Sequence, residues 1–246
     1  MKHIPVLLLC LLLSGCASPA APTVTPTVTA LPTLAPTASP TPKPLTDELT
    51  FIAPRGDPPV IDGRINPDEW GAAARVQLAH GELLLMQDGD YLYLGIISNS
   101  LGLGSVCVIR EDVISILHSS AALGTAAYIR TDGGWQKTRD FVWTNRETTN
   151  SPSALQARQR HLETEHWLAS NGNMGKRGEM EYQIAMTDGA VRLAVTYLMS
   201  PEFKSTDFWP ETLSDGCRYF EPLSADAPEN AEFAPETWMT VIASAG

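Results

Sequence analysis

Met180-Glu181-Tyr182-Gln183-Ile184-Ala185-Met186-Thr187-Asp188-Gly189-Ala190-Val191-Arg192-Leu193-Ala194-Val195-Thr196-Tyr197-Leu198-Met199 is the stretch whose reading decides the fold class. Met180, Tyr182, Ile184 and Met186 alternate with less apolar residues. After Thr187-Asp188-Gly189, Val191, Leu193, Val195, Tyr197 and Met199 do the same. A period of two places every second side chain on one face, so these are two strands with a buried side, and the Asp-Gly pair turns the chain between them. Upstream, Glu82 to Gln87 and Tyr91 to Ile96 flank Asp88-Gly89-Asp90, the pattern of a hairpin. Further strands are predicted over 105–110, 113–118, 126–131, 135–144 and 238–244. Many short strands joined by Gly-rich turns imply an all-β protein, here an immunoglobulin-like antiparallel β-sandwich.

One helix interrupts the pattern. Ser151 followed by Pro152 has the chemistry of an N-cap and first helical position, and Asn171-Gly172 supplies a left-handed stop. On a helix of that length Leu155, Leu162, His166 and Ala169 share a stripe, with His166 a partly buried, satisfied imidazole.

Residues 1–46 read as address and spacer. The apolar run Val6–Leu13 is too short to span about 30 Å of hydrocarbon and follows Lys2, so it reads as the core of a signal peptide, 1–15. Leu13-Ser14-Gly15-Cys16 resembles the bacterial lipobox, which implies cleavage before Cys16 and acylation of that residue. Two or three acyl chains anchor stably where one does not. Between Ala17 and Thr46 stand eight Pro and eight Thr with one charge, Lys43. Such a segment cannot bury enough apolar surface to fold and reads as a stalk of up to roughly 90 Å if it runs as polyproline II. The expected product is a lipid-anchored extracytoplasmic protein whose folded part is residues 47–246.

The chain has 246 residues and a net charge of −11, and all 28 carboxylates but only 15 of 17 basic residues lie in 47–246. No basic field exists to neutralise phosphates, which excludes nucleic acid as a partner. With Cys10 in the signal and Cys16 acylated, Cys107 and Cys217 remain. In an oxidising compartment they form one disulfide, or else stay as two separate buried thiols.

Pro59-Val60-Ile61-Asp62-Gly63, Pro67-Asp68-Glu69-Trp70, Asp90-Tyr91-Leu92-Tyr93-Leu94 and Glu181-Tyr182-Gln183-Ile184 resemble carbohydrate-binding module family 9 and its DOMON-like relatives. The resemblance covers roughly 57–97 and 179–200. It implies an immunoglobulin-like sandwich that binds extracellular sugars or, in some DOMON members, haem. Residues 98–178 match no pattern, so no family ligand residues carry over. The matched motif reads as structural: Asp62-Gly63 as a capped turn and Trp70 as a core residue.

No catalytic signature is present. Gly102-Leu103-Gly104-Ser105 lacks the nucleophile-elbow spacing, His118 and Ser119 point to opposite faces of a strand, and His161 and His166 are five apart rather than four. The haem alternative offers His80, His118, Met86, Met174 and Met180 as axial ligands without a spacing that pairs them. The expectation is therefore a non-enzyme, without metal or cofactor. It binds carbohydrate or cell-wall glycan; the alternative is a structural or protein-interaction module of the envelope.

For a sugar site the candidate is the strand after Thr131-Asp132-Gly133-Gly134. If regular, it sets Trp135, Lys137, Arg139, Phe141 and Trp143 on one face. Indoles stack on sugar C–H faces while Arg and Lys donate to hydroxyls, so Trp135, Lys137, Arg139 and Trp143 are the candidate ligand-binding set. The competing reading sends Phe141 and Trp143 into the core beneath the Lys137 and Arg139 stems.

Overall fold

A computed structural model of the protein describes residues 49–244 apart from 148, 175–176, 201, 203 and 220–226. The expectations for the signal sequence, Cys16 and the stalk lie outside the described residues. The rest is a β-sandwich carrying one substantial helix. Among the described residues no helix is long and apolar enough to cross a membrane.

The smaller sheet has the order β2 (Ala74–Gln77), β3 (Gly81–Gln87), β4 (Tyr91–Ser98), β10 (Arg177–Ala185), β9 (Trp167–Met174), all antiparallel. The larger sheet runs β1 (Thr50–Ala53), β14 (Met239–Ala243), β11 (Ala190–Met199), β5 (Gly102–Arg110), β6 (Val113–Ser119), β7 (Ala122–Thr131), β8 (Gly134–Asn145), β13 (Asn230–Ala231). A further strand, β12 (Thr206–Trp209), pairs with β11. The first strand pairs in parallel with the last, Phe51 opposite Val241. The two alternating runs around Thr187-Asp188-Gly189 are β10 and β11. Their turn carries the chain from one sheet to the other, with Asp188 and Gly189 both at positive φ.

The larger sheet is buried on both faces, as period two reveals. Val106, Val108, Leu117, Leu193 and Val195 join the core between the sheets. Their neighbours Cys107, Ile116 and Ala194 join a second core with Leu213, Cys217, Phe233 and Trp238. Residues 213–217 and 227–238 thus cover the outer face of this sheet, and the Cys107–Cys217 disulfide, with Cα atoms 6.1 Å apart, fastens the first of these stretches there. Of the two sequence alternatives for these thiols, the bridged one is present.

Helix α1 (Pro152–Glu165) starts as expected, with the Ser151 hydroxyl accepting from the Ala154 amide. It ends at Glu165, six residues before Asn171. His166 takes the left-handed cap conformation at φ 62°, its amide donating to the Leu162 carbonyl, and β9 begins at Trp167. Two readings are corrected here: His166 is exposed, and Leu155 faces solvent while Ala154 and Leu162 are buried. Asn171-Gly172 lies inside β9, where a Cβ on Gly172 would collide with the Gly63 carbonyl oxygen of the loop crossing it. Glycine is there for close approach, not to stop a helix.

Candidate functional site

The family-like motif is a clasp over the smaller sheet. Glu181 on β10 is fully buried; its Oε2 accepts from the amides of Gly63 at 2.7 Å, Asp62 at 3.0 Å and Arg64 at 3.2 Å, and its Oε1 from the Trp70 indole at 3.0 Å. Burial pushes this carboxyl up to about 8, against the pull of those donors. Gly63, at φ 89°, lets three successive N–H groups converge. Glu179 repeats the device on the Ile65 amide at 2.8 Å. Trp70 is a core residue, as its position in the motif predicts.

The candidate strand β8 is not regular. Thr125 is opposite Val142, Ala127 opposite Arg139 and Tyr128 opposite Lys137, so the register shifts twice within a few residues. Cross-strand partners share a face and successive residues do not. Tyr128 and Ala127 therefore assign Lys137 and Arg139 to opposite faces, and the expectation that Arg139 shares a face with Trp135 and Lys137 is corrected. Arg139 meets helix α1 instead, in a bidentate pair with Glu165 at 2.7 and 2.9 Å. Burial would raise the Glu165 carboxyl, but hydrogen bonds from Arg139 and Thr125 hold it below its ordinary value.

On the outer face, Trp135 is 5% exposed, donates its indole N–H to the Phe233 carbonyl at 3.0 Å and packs edge-on to that ring. The Lys137 ammonium donates to Asp140 at 2.9 Å and the Ala227 carbonyl at 2.8 Å and lies 2.9 Å from Glu229. Hydrogen bonds to Glu229 and Asp140 keep it above the usual lysine range. Asp140 is lowered to about 2 by the amide of Ala227, the Lys137 ammonium and the amide of Phe141. These two candidates fasten segment 227–233 to the sheet.

Trp143 stands apart. It is 39% exposed, whereas the other five tryptophans are buried. Its ring stacks on Phe141 at 4.8 Å and 27° and receives the edge of His118 at 5.5 Å and 89°. Gly124 lies opposite it, where a Cβ would come within 2.7 Å of the indole, so only glycine lets the ring lie flat across the sheet. Below, the His118 Nδ1 is 3.0 Å from the Ser105 hydroxyl while its Nε2 has no partner among the described residues; burial lowers its pKa to about 4. Ser105 is 3% exposed, so this Ser–His contact supports a ring rather than presenting a nucleophile. The support of Trp143 by Gly124 and His118 had no sequence signal, because it depends on which strands become neighbours.

The haem-ligand candidates do not converge. His80 bonds Asp207 at 2.9 Å, His118 lies under Trp143, Met86 packs against Gly56 in the cover of the smaller sheet, and Met180 lies against Gly104 between the sheets. The Met174 side chain is outside what the structure describes. Among the described residues no three potential ligands cluster to hold a metal.

No protein-family model and no curated protein matches this chain. Among solved structures, a carbohydrate-binding module family 9 domain from Caldicellulosiruptor kristjanssonii, in complex with cellotriose, is similar at a TM-score of 0.39 and 9% identity. The match covers 78% of this chain and 92% of that one.

Proposed function

We propose that this protein is a lipid-anchored, extracytoplasmic binding module for carbohydrate, without catalytic activity of its own. The observation that carries the reading is Trp143, an exposed indole braced flat by Phe141, His118 and Gly124 while every other tryptophan is buried. A rigid flat aromatic surface loses little entropy on docking a sugar ring and offers its π-face to axial C–H groups. The lipobox-like Leu13-Ser14-Gly15-Cys16 and a buried disulfide of the kind that persists outside the cytoplasm support the location. Trp135 and Lys137 serve the site as the frame that holds β8 against segment 227–233, and Arg139 as its tie to α1.

The test is titration of the secreted Cys16→Ala chain with neutral oligosaccharides and peptidoglycan fragments, followed by tryptophan fluorescence and calorimetry. Saturable binding that Trp143→Ala abolishes, with a thermal midpoint within a few degrees of the parent, is the expected outcome. Binding unaltered by Trp143→Ala, or no glycan response at all, overturns it.

A further inference from the structure

Arg146, one residue beyond β8, is a half-buried cation without a counter-charge among the described residues. Its Nε and Nη1 are shielded from solvent and meet no hydrogen-bond partner among the described residues, and partial burial lowers its pKa. Several other basic residues of this acidic domain are ion-paired, Arg75 to Glu82, Lys137 to Asp140 and Glu229, Arg139 to Glu165 and Arg177 to Glu179, and the more deeply buried Arg110 donates to the Ala185 carbonyl. Even the polar cleft of about 440 Å³ beside β2 and β3 has its two arginines paired. Shielding part of a cation from water is unfavourable unless a partner replaces the lost hydration, so the enclosed Nε and Nη1 edge of this guanidinium calls for an acceptor.

Arg146 borders two cavities at one end of the sandwich. One, of about 330 Å³, has Leu101, Leu103 and Ala121 as apolar wall and Ser120, Asn171 and Ser200 as polar groups. The other, of about 170 Å³, lies beneath α1 between Leu123, Leu168 and His161. Each contains a second unsatisfied atom, Asn171 Oδ1 in the first and His161 Nε2 in the second. The larger cavity has the size of a small-ligand pocket, whose range starts at about 300 Å³.

We propose that this end cavity binds a sugar acid, with Arg146 receiving the carboxylate and Asn171 accepting from a hydroxyl beside it. A guanidinium fork matches a carboxylate through two parallel N–H bonds. One fixed cation balances one negative charge, which favours a carboxylate over a phosphate dianion. Asn171 Oδ1 is an acceptor and calls for a donor, which a hydroxyl supplies and a bare carboxylate does not. The site is separate from Trp143, since Val142, opposite Thr125, and Trp143, opposite Gly124, begin the alternation that places Arg146 on the other side of the strand. The inference rests on the proposed carbohydrate role only in choosing sugars among hydroxy-carboxylates.

The experiment is calorimetry of the secreted Cys16→Ala chain with galacturonate, galactose and inorganic phosphate, repeated in Arg146→Gln, Arg146→Lys and Trp143→Ala, with thermal unfolding of each. Galacturonate is expected to bind at least about tenfold more tightly than galactose or phosphate. Arg146→Gln should weaken it by on the order of 100-fold, and Arg146→Lys, which keeps the charge but not the fork, by an intermediate factor. Because an uncompensated charge is removed, Arg146→Gln should unfold no earlier than the parent, and galacturonate should raise the midpoint of the parent alone. Trp143→Ala should leave galacturonate binding intact. Equal affinity for galacturonate and galactose, stronger binding of phosphate, or an acid preference that survives in Arg146→Gln overturns the inference. Should Arg146→Gln fail to fold, an unweakened Arg146→Lys does the same. Neutral glycans binding at Trp143 while galacturonate does not would refute this site and leave the carbohydrate reading standing; the reverse would refute Trp143 alone.

Discussion

His118 is 1% exposed and bounded by Ser105, Phe141 and Trp143, so protonation must either break that packing or leave a charge in an apolar setting. Its pKa of about 4 in the folded chain, against about 6.5 unfolded, means the unfolded state binds the extra proton first as pH falls. The stabilisation is present in full above about pH 6.5 and is lost as pH falls toward 4, a change of up to about 3 kcal/mol. Glu181 works with the opposite sign, since a folded pKa near 8 makes the protein less stable as pH rises from the ordinary Glu range. The informative measurement is therefore a difference. Between pH 7 and 4.5, urea midpoints should fall more steeply for the parent than for His118→Gln, and parallel curves would show that His118 takes up its proton as readily in the fold as in the unfolded chain. At Gly124 the packing argument gives a second expectation. Gly124→Ala should tilt the Trp143 ring off the sheet, costing about 1–3 kcal/mol and shifting the tryptophan emission; an unchanged spectrum and midpoint would contradict the close contact.

At the scale of elements, the disulfide joins the middle of β5 to the short helix α2 (Gly216–Tyr219), 110 residues apart. A chain-entropy treatment of so long a loop gives about 4–5 kcal/mol, an upper figure because residual structure in the unfolded chain reduces it. Cys107→Ser together with Cys217→Ser should lower the denaturation midpoint substantially, and non-reducing peptide mapping of the parent should recover the 107–217 link; free thiols at both positions would refute it. The elements themselves were legible where a turn residue closed an alternating run. Asp88-Gly89-Asp90 is such a turn, with the Asp88 carboxylate accepting from the amides of Asp90 and Tyr91. β9 was not legible, because Trp167-Leu168-Ala169-Ser170 is buried on both faces and has no alternation to read. The breaks in β8 were equally hidden. A bulge is a mismatch between two strands, so no property of Trp135 to Trp143 alone announces that Arg139 turns away from its neighbours. Of the stripe, Trp143 alone of the two tryptophans keeps an exposed ring, while Trp135, Lys137 and Arg139 are ties to 227–233 and to α1.

For the whole chain, the proposed anchoring has a direct consequence. Palmitate should label the parent and not Cys16→Ala, and the variant should move from the membrane to the soluble exported fraction. An unlabelled, soluble parent in its own host would refute the lipobox reading. The strand order adds a geometrical result. β1 and β8 are separated by six strand spacings in the larger sheet, roughly 29 Å at about 4.8 Å each. Chain preceding Leu49 joins the domain at the β1 rim, and the Trp143 indole belongs to the opposite rim. If residues 16–46 are the proposed stalk and Trp143 the proposed recognition ring, a pivot at the β1 margin would carry that ring along the outer arc, and a tether of given length would search a wider shell than one fixed beside the ring.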